Sequence, residues 1–373
     1  MNIVALCEHA PESRVALTPS VAKAYSDLGC TLSIIEKAGD NAGFSDELYI
    51  EKGVSSEKAK VALAKADILL SVNPPRKTEL KKLSPSSILI TQLNDPHQEL
   101  IQYCLDNSIS LINVNNIPRI SRAQNMDTLS SQANLAGYKA VLLAVNAYQR
   151  AVPMMMTAAG MIHPAKVLIL GAGVAGLQAI ATAKRLGAEV FAFDVRRAAR
   201  EQVESLGAEF VEVSDEDLET SGGYAAETSE AYKEKQAKLI DEYAQKADII
   251  ITTALIPNRP APLLIHKETI EKMKPGSIIV DMATARGGNC ELSVKDSIVL
   301  EHEVEIIGYS NLAGMVAKTA SELYAHNLLQ IVKLLINTED KTINLNPDDI
   351  IIQNILICHQ GESLPFLKED IKA

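Results

Sequence analysis

Gly171, Gly173 and Gly176 stand at G-x-G-x-x-G spacing, directly after the apolar run Val167, Leu168, Ile169, Leu170. The run predicts a parallel strand buried on both faces. In this spacing the first glycine permits a tight turn, the second lets backbone approach a pyrophosphate, and the third lets the next helix pack close to the strand. Ala172 and Val174 complete the turn, and the helix beyond offers unpaired N–H groups to phosphate. Glu189 to Phe193 then read as a second strand, closed by Asp194, where a carboxylate can accept both hydroxyls of an adenine ribose. That acid would repel a 2′-phosphate, so NAD(H) is expected over NADP(H). Val195 and Arg196 flank the same ribose; Arg196 and Arg197 offer a competing cationic site, which the acid at the strand end outweighs. A lone glycine pattern is a weak signal, and the flanking strand, helix, strand and acid make this a dinucleotide unit.

The elements that must position these residues follow a strand-then-helix rhythm. NIVAL, CTLSIIEKA, ADILLSV, SSILITQL and SISLINV read as strands of a separate α/β sheet within the first 130 residues, and DIIITTAL and GSIIVDMA extend the nucleotide sheet. Leu129 to Gln149 predicts one long helix, whose Ala133, Ala136, Gly137 and Ala140 suit either close packing between domains or subunits or an ordinary core helix. Helical periodicity resumes over Lys318 to Ile336 and carries the chain back to the N-terminal domain. The expected fold is α/β, with two Rossmann-like parallel-sheet domains flanking a cleft: residues 1–130 plus 318–373, and an inserted nucleotide domain, 131–317. Between Glu212 and Lys235 an acidic stretch lacks apolar periodicity and reads as a surface loop, with Gly222, Gly223 and Tyr224 placed as a lid requires.

A length of 373 residues allows two cores, and 47% hydrophobic with 22% charged residues is the balance of a globular protein. A net charge of −11 argues against nucleic acid or an anionic membrane surface as partner. Cys7, Cys30, Cys104, Cys290 and Cys358 are sparse and without metal spacing, as expected of reduced thiols in a cytoplasmic protein. The N-terminus enters a strand at once, without the pattern of a signal peptide. Ala140 to Ile162 is apolar but broken by Asn146, Gln149, Arg150, Pro153 and Gly160, so a helix followed by a loop is expected rather than a membrane span.

SRVALTP (13–19), AGDNAGFSDELY (38–49) and VLILGAGVAG together resemble the superfamily of alanine dehydrogenases and proton-translocating nicotinamide nucleotide transhydrogenases, over essentially the whole chain. Reduction of an imine to an amine needs a proton donor near the substrate. Where the alanine dehydrogenase pattern has lysine, histidine and aspartate, this chain has Asn73, Asn94 and Ala285; Arg14 remains and is expected to be structural. The segment IPRISRAQNMDTLSSQANLAGYKA (117–140) instead resembles the Arg-Gln-Asp loop of the transhydrogenase NAD(H)-binding component. The resemblance implies that Arg119, Gln124, Asp127 and Ser130 orient the nicotinamide ring, with Ile120 and Ser121 alongside. It also implies a mobile loop around Gly223 and Tyr224, contact from Gln236, and an adenine-side wall in ITTALIP that includes Leu255.

Hydride passing from one nicotinamide C4 to another leaves no proton to manage, so such a site needs positioning and water exclusion rather than an acid or base. The seven histidines are scattered and read as structural or surface residues. With one glycine turn in this chain, the resemblance implies NADP(H) on a partner subunit, a separate membrane-spanning proton-channel subunit, a homodimer, and a peripheral place on the cytoplasmic face of the bacterial inner membrane. Two other readings stay open at this point: an alanine dehydrogenase-like amino-acid dehydrogenase, and a non-catalytic NAD-binding module.

Overall fold

The structure is a computed structural model that describes residues 1–94, 97–212, 230–256, 259–337 and 341–363, with side chains of the helix beginning at 230 described from 234 onward. The chain divides into two compact units, Met1–Gln132 with Ala313–Ala373, and Ala133–Leu312. Its strands are β1 (Asn2–Ala5), β2 (Thr31–Ile35), β3 (Ser55–Glu57), β4 (Ile68–Leu70), β5 (Ile88–Thr91), β6 (Ser110–Asn113), β7 (Met155–Thr157), β8 (Gly160–Ile162), β9 (Lys166–Leu170), β10 (Glu189–Phe193), β11 (Glu209–Phe210), β12 (Ile249–Thr252), β13 (Ile278–Asp281), β14 (Ile298–Glu301), β15 (Val304–Ile307), β16 (Leu356–His359) and β17 (Glu362–Ser363).

In the first unit the sheet order is β17-β16-β6-β5-β4-β1-β2-β3. β1 to β6 are parallel, and β16 joins β6 antiparallel. Successive residues serve opposite faces: Ile3, Ala5, Ile68 and Leu70 enter one core, while Val4, Leu6 and Leu69 enter the other. Burial on both faces is why these strands read as continuous apolar runs rather than as alternation. The helix Ala317–Leu335 places Tyr324, Leu328, Ile331 and Leu335 in the first of these cores, one stripe at helical spacing.

The second unit holds the order β11-β10-β9-β12-β13-β15-β14, parallel except for β14. Val167 and Ile169 face one core and Leu168 and Leu170 the other. β9 lies between β10 and β12, so the connections diverge at its carboxyl end, the switch point where open α/β sheets bind ligands. The helix Thr128–Ala147 uses its small residues inside this unit: a Cβ on Gly137 would lie 2.1 Å from the Ala175 carbonyl oxygen of the helix Val174–Arg185.

The segment after Ala147 departs from the expected loop. Met155–Thr157 and Gly160–Ile162 pair as an antiparallel hairpin, and Met154, Met155, Met156, Met161 and Ile162 are exposed on and beside it. Among the described residues no helix is long and apolar enough to cross a membrane.

Candidate functional site

β9 delivers the chain into Gly171, whose φ of 103° lies in the region that favours glycine. A Cβ on Gly171 would come 2.5 Å from Thr253 Oγ1, and one on Gly176 would come 1.8 Å from the Gly171 carbonyl oxygen. Both glycines are therefore required by backbone packing. Gly173 differs. It caps the helix Val174–Arg185, and a Cβ there would meet nothing within 4 Å. Open space over a glycine at a helix N-terminus is where a pyrophosphate would be cradled by backbone N–H groups.

Asp194 follows β10 beside this turn. Its Oδ2 accepts the Ala172 N–H at 2.7 Å and its Oδ1 the Arg196 N–H at 2.8 Å. The Arg196 guanidinium also bonds both carboxylate oxygens. Burial pushes the Asp194 carboxyl up, but the bonds from Arg196 and Ala172 outweigh it and hold the group below its ordinary range. Arg196 is thus neutralised by Asp194, and Glu212 lies 3.8 Å from Arg197 and 2.6 Å from Arg200. Each cation near the strand end faces an acid. Val195 and Leu255, after β10 and β12 on either side of β9, carry exposed apolar side chains. The second unit thus gathers Gly171, Ala172, Gly173, Val174, Gly176, Asp194, Val195, Arg196 and Leu255 around one end of β9.

In the first unit, the loop from Arg119 is anchored from beneath. Ala123 and Met126 are buried in the core, Arg122 forms a two-pronged ion pair with Asp349, and Asn327 donates to the Asn125 carbonyl at 2.8 Å. Asp127 caps the next helix: it accepts the Ser130 N–H at 2.9 Å and the Ser130 hydroxyl at 2.5 Å. Arg119, Ser121 and Gln124 are exposed on this anchored loop, with Ile120 partly buried. Gln236 is partly buried on the helix Glu230–Lys246, with no hydrogen bond to the glycine turn among the described residues. Gly222, Gly223 and Tyr224, and with them the expected lid, lie outside the described residues.

Three polar groups of consequence carry little sequence signal. Glu8, partly buried after β1, accepts the N–H groups of Val72 at 2.7 Å and Asn73 at 3.1 Å. It thereby fills the switch point between β1 and β4 of the first sheet with the chain's own carboxylate, and burial, partly offset by those two bonds, pushes it up to about 8. Arg14 is buried, bonded through Nε and one terminal nitrogen to Glu12 and through the other to Gln132. Asp281 is fully buried and accepts five bonds, from Thr252, Ala283, Asn289, Cys290 and Ser293. An acid at or shortly after a strand end is the signal Glu8 and Asp281 share with Asp194, and it does not say whether the partner is a ligand or the chain itself.

An open parallel sheet with a glycine turn at its switch point and an acid closing the second strand defines a Rossmann-type nucleotide-binding α/β protein. The family profiles described as alanine dehydrogenase/PNT, N-terminal domain and C-terminal domain match residues 4–136 and 140–365. The chain is 44% identical to the NAD(P) transhydrogenase subunit alpha of Cereibacter sphaeroides, covering 94% of this chain and 68% of the other. It is 43% identical to a shorter NAD(P) transhydrogenase alpha-subunit polypeptide of Rhodospirillum rubrum, over 94% of each chain. Among solved structures, a transhydrogenase from Sinorhizobium meliloti superposes with a TM-score of 0.90 at 40% identity, covering 98% of this chain and all of that one. An L-alanine dehydrogenase gives 0.83 at 25%, covering 100% and 99%. The chain belongs to the alanine dehydrogenase/PNT family.

Proposed function

We propose that this chain is the NAD(H)-binding component of a proton-translocating transhydrogenase, passing hydride between NADH and NADP⁺ held on a partner subunit, NADH + NADP⁺ giving NAD⁺ + NADPH. The observation that carries the reading is the contrast between the two units. The second offers an open glycine turn beside Asp194, whereas the first closes its own switch point with Glu8. One chain with one such turn therefore calls for a second nucleotide elsewhere.

When bound, NAD(H) supplies the hydride; the chain's residues bind and orient it. Backbone N–H groups at the Val174 helix would hold the pyrophosphate, Asp194 the ribose, and Val195 and Leu255 the adenine faces. Arg119, Gln124, Asp127 and Ser130 would hold the nicotinamide, with Ile120, Ser121 and Gln236 as lesser contacts. Asn73, Asn94 and Ala285, where an amino-acid dehydrogenase carries proton-handling groups, support hydride exchange without acid–base chemistry. The exposed methionine hairpin supports self-association as a homodimer, and proton coupling falls to a separate membrane subunit that would hold this one at the cytoplasmic face.

The test is to mix the chain with NADH, first with pyruvate and ammonium, then with an NADP⁺-loaded partner domain. Oxidation of NADH only in the second mixture is expected. Oxidation in the first would mark an amino-acid dehydrogenase, and binding without turnover in either a plain NAD-binding module.

A further inference from the structure

We infer that Asn289 is a positioning residue for the nucleotide, holding the wall Thr253–Ile256 against the glycine turn; this rests on the NAD(H) reading of that turn. Asn289 is fully buried in the loop after β13. Its Oδ1 accepts the Ala254 N–H at 3.1 Å, while Nδ2 donates to the carbonyls of Ala254 at 2.9 Å and Pro262 at 2.7 Å. One side chain thus pairs both backbone groups of Ala254 and ties them to Pro262. Only an amide supplies an acceptor and two donors at this reach, so the buried donors and acceptors are all satisfied without a charge.

The clamp is itself held from behind. Asp281 accepts the Asn289 N–H at 2.9 Å and the Cys290 N–H at 3.0 Å. A Cβ on Gly288 would lie 2.7 Å from Asp281 Oδ2, so the loop is pressed against that carboxylate. On the other side the clamp reaches the site: Thr253, next to Ala254, donates its hydroxyl to the Gly171 carbonyl at 3.0 Å and its N–H to the Leu170 carbonyl at 2.8 Å. Asp281, Asn289, Ala254, Thr253 and Gly171 form a continuous hydrogen-bonded and covalent path from the carboxyl end of β13 to the turn.

Folding alone gives no reason for the endpoint of this path. The segment so clamped at Thr253 and Ala254 presents Leu255 and Ile256 outward, 55% and 45% exposed. An apolar pair held out just past a clamped backbone, beside a turn open at Gly173, fits a surface prepared for an apolar ring face rather than for the core. Fixing it in advance lowers the ordering cost of binding.

Calorimetric titration of NADH into the full chain tests this, with wild type, Asn289→Ala, Asn289→Asp and Ser277→Ala compared at a temperature where each is folded by circular dichroism. Asn289→Asp keeps the acceptor and shape but removes both donated bonds, so it carries the test should the alanine variant not fold. Ser277→Ala removes another buried hydrogen bond of the same sheet, to the Ala247 carbonyl, and serves as the control for plain destabilisation. NADH Kd is expected to rise at least about tenfold in the Asn289 variants and to stay within about twofold in the control. With a partner domain, KM for NADH should rise with kcat nearly unchanged. Unchanged Kd in the Asn289 variants, or an equal loss in Ser277→Ala, overturns the inference alone. Failure of the wild type to bind NADH overturns the proposed function and this inference with it.

Discussion

At the scale of single residues, selectivity reduces to one carboxylate and the cations around it. Asp194 is held ionised by Arg196 and the Ala172 N–H, and Arg197 and Arg200 face Glu212, so a 2′-phosphate would meet a negative group beside cations already paired with acids. NADH should therefore bind well and NADPH poorly by calorimetry, and Asp194→Ala should weaken NADH while narrowing the preference; equal affinities in the wild type would refute this. Gln124 is exposed on an anchored loop, so Gln124→Asn should slow single-turnover hydride transfer to a partner's NADP⁺ by at least about tenfold, about 1.4 kcal/mol, with a smaller change in NADH affinity. Asp127→Asn should do the same with an added loss of helix capping, and full transfer rate in both would make the loop a linker. Glu8 gives a pH dependence. Its carboxyl is raised to about 8, so the folded state binds the proton more tightly than the unfolded one, and the stabilisation present at acid pH is lost as pH rises toward and through 8. Urea midpoints should fall between about pH 5 and 8 in the wild type, level off above that, and fall less in Glu8→Gln; parallel slopes would show that Glu8 does not titrate there. Asp194 was legible because it closes a strand after a glycine turn. Glu8 follows a strand too, but its partner is a distant loop at Val72 and Asn73, and no local pattern reports that.

Elements were legible where burial decides them. β9, β10, β12 and β13 are each buried on both faces, and a run such as Ile249–Ile250–Ile251 has no other comfortable place. Two hairpins escaped, each for its own reason. β14 and β15 turn through His302 and Glu303, both at positive φ, without the Asn-Gly signal that ordinarily marks such a turn. The Met155 hairpin is exposed on both strands, so no alternation betrays it. The glycine turn shows how element geometry separates folding from binding. Gly176→Ala would drive a Cβ into the Gly171 carbonyl, so the helix must move off the strand, with a cost of about 1–3 kcal/mol and loss of NADH binding. Gly173→Ala meets nothing in the protein, so its melting temperature should stay near that of the wild type while NADH affinity falls, because the methyl group enters the space of the pyrophosphate. Similar melting temperatures in the two variants, or intact NADH binding in Gly173→Ala, would show that the turn does not work this way.

For the whole molecule, the division into two units follows from two sheets that each bury both faces and so need separate cores. Chain composition and the strand rhythm convey that much. What they leave out is which surfaces meet other chains, because association depends on apolar groups left outside the cores, and these are visible only once the cores are assigned. The hairpin and its approach expose Met154, Met155, Met156, Met161 and Ile162, a patch of flexible thioether side chains that adapt to a facing surface. In a two-fold dimer the same patch serves both copies, so one substitution acts twice across the axis. A carboxylate there would be desolvated without a partner, and the net charge of −11 adds repulsion between copies. Met156→Asp and Met161→Asp should therefore each shift the chain from dimer toward monomer in sedimentation velocity at micromolar concentration, with NADH affinity within about twofold of wild type, since both positions lie outside the glycine turn. A wild-type monomer at that concentration would remove the homodimer itself, and variants that sediment as dimers would move the interface elsewhere on the molecule.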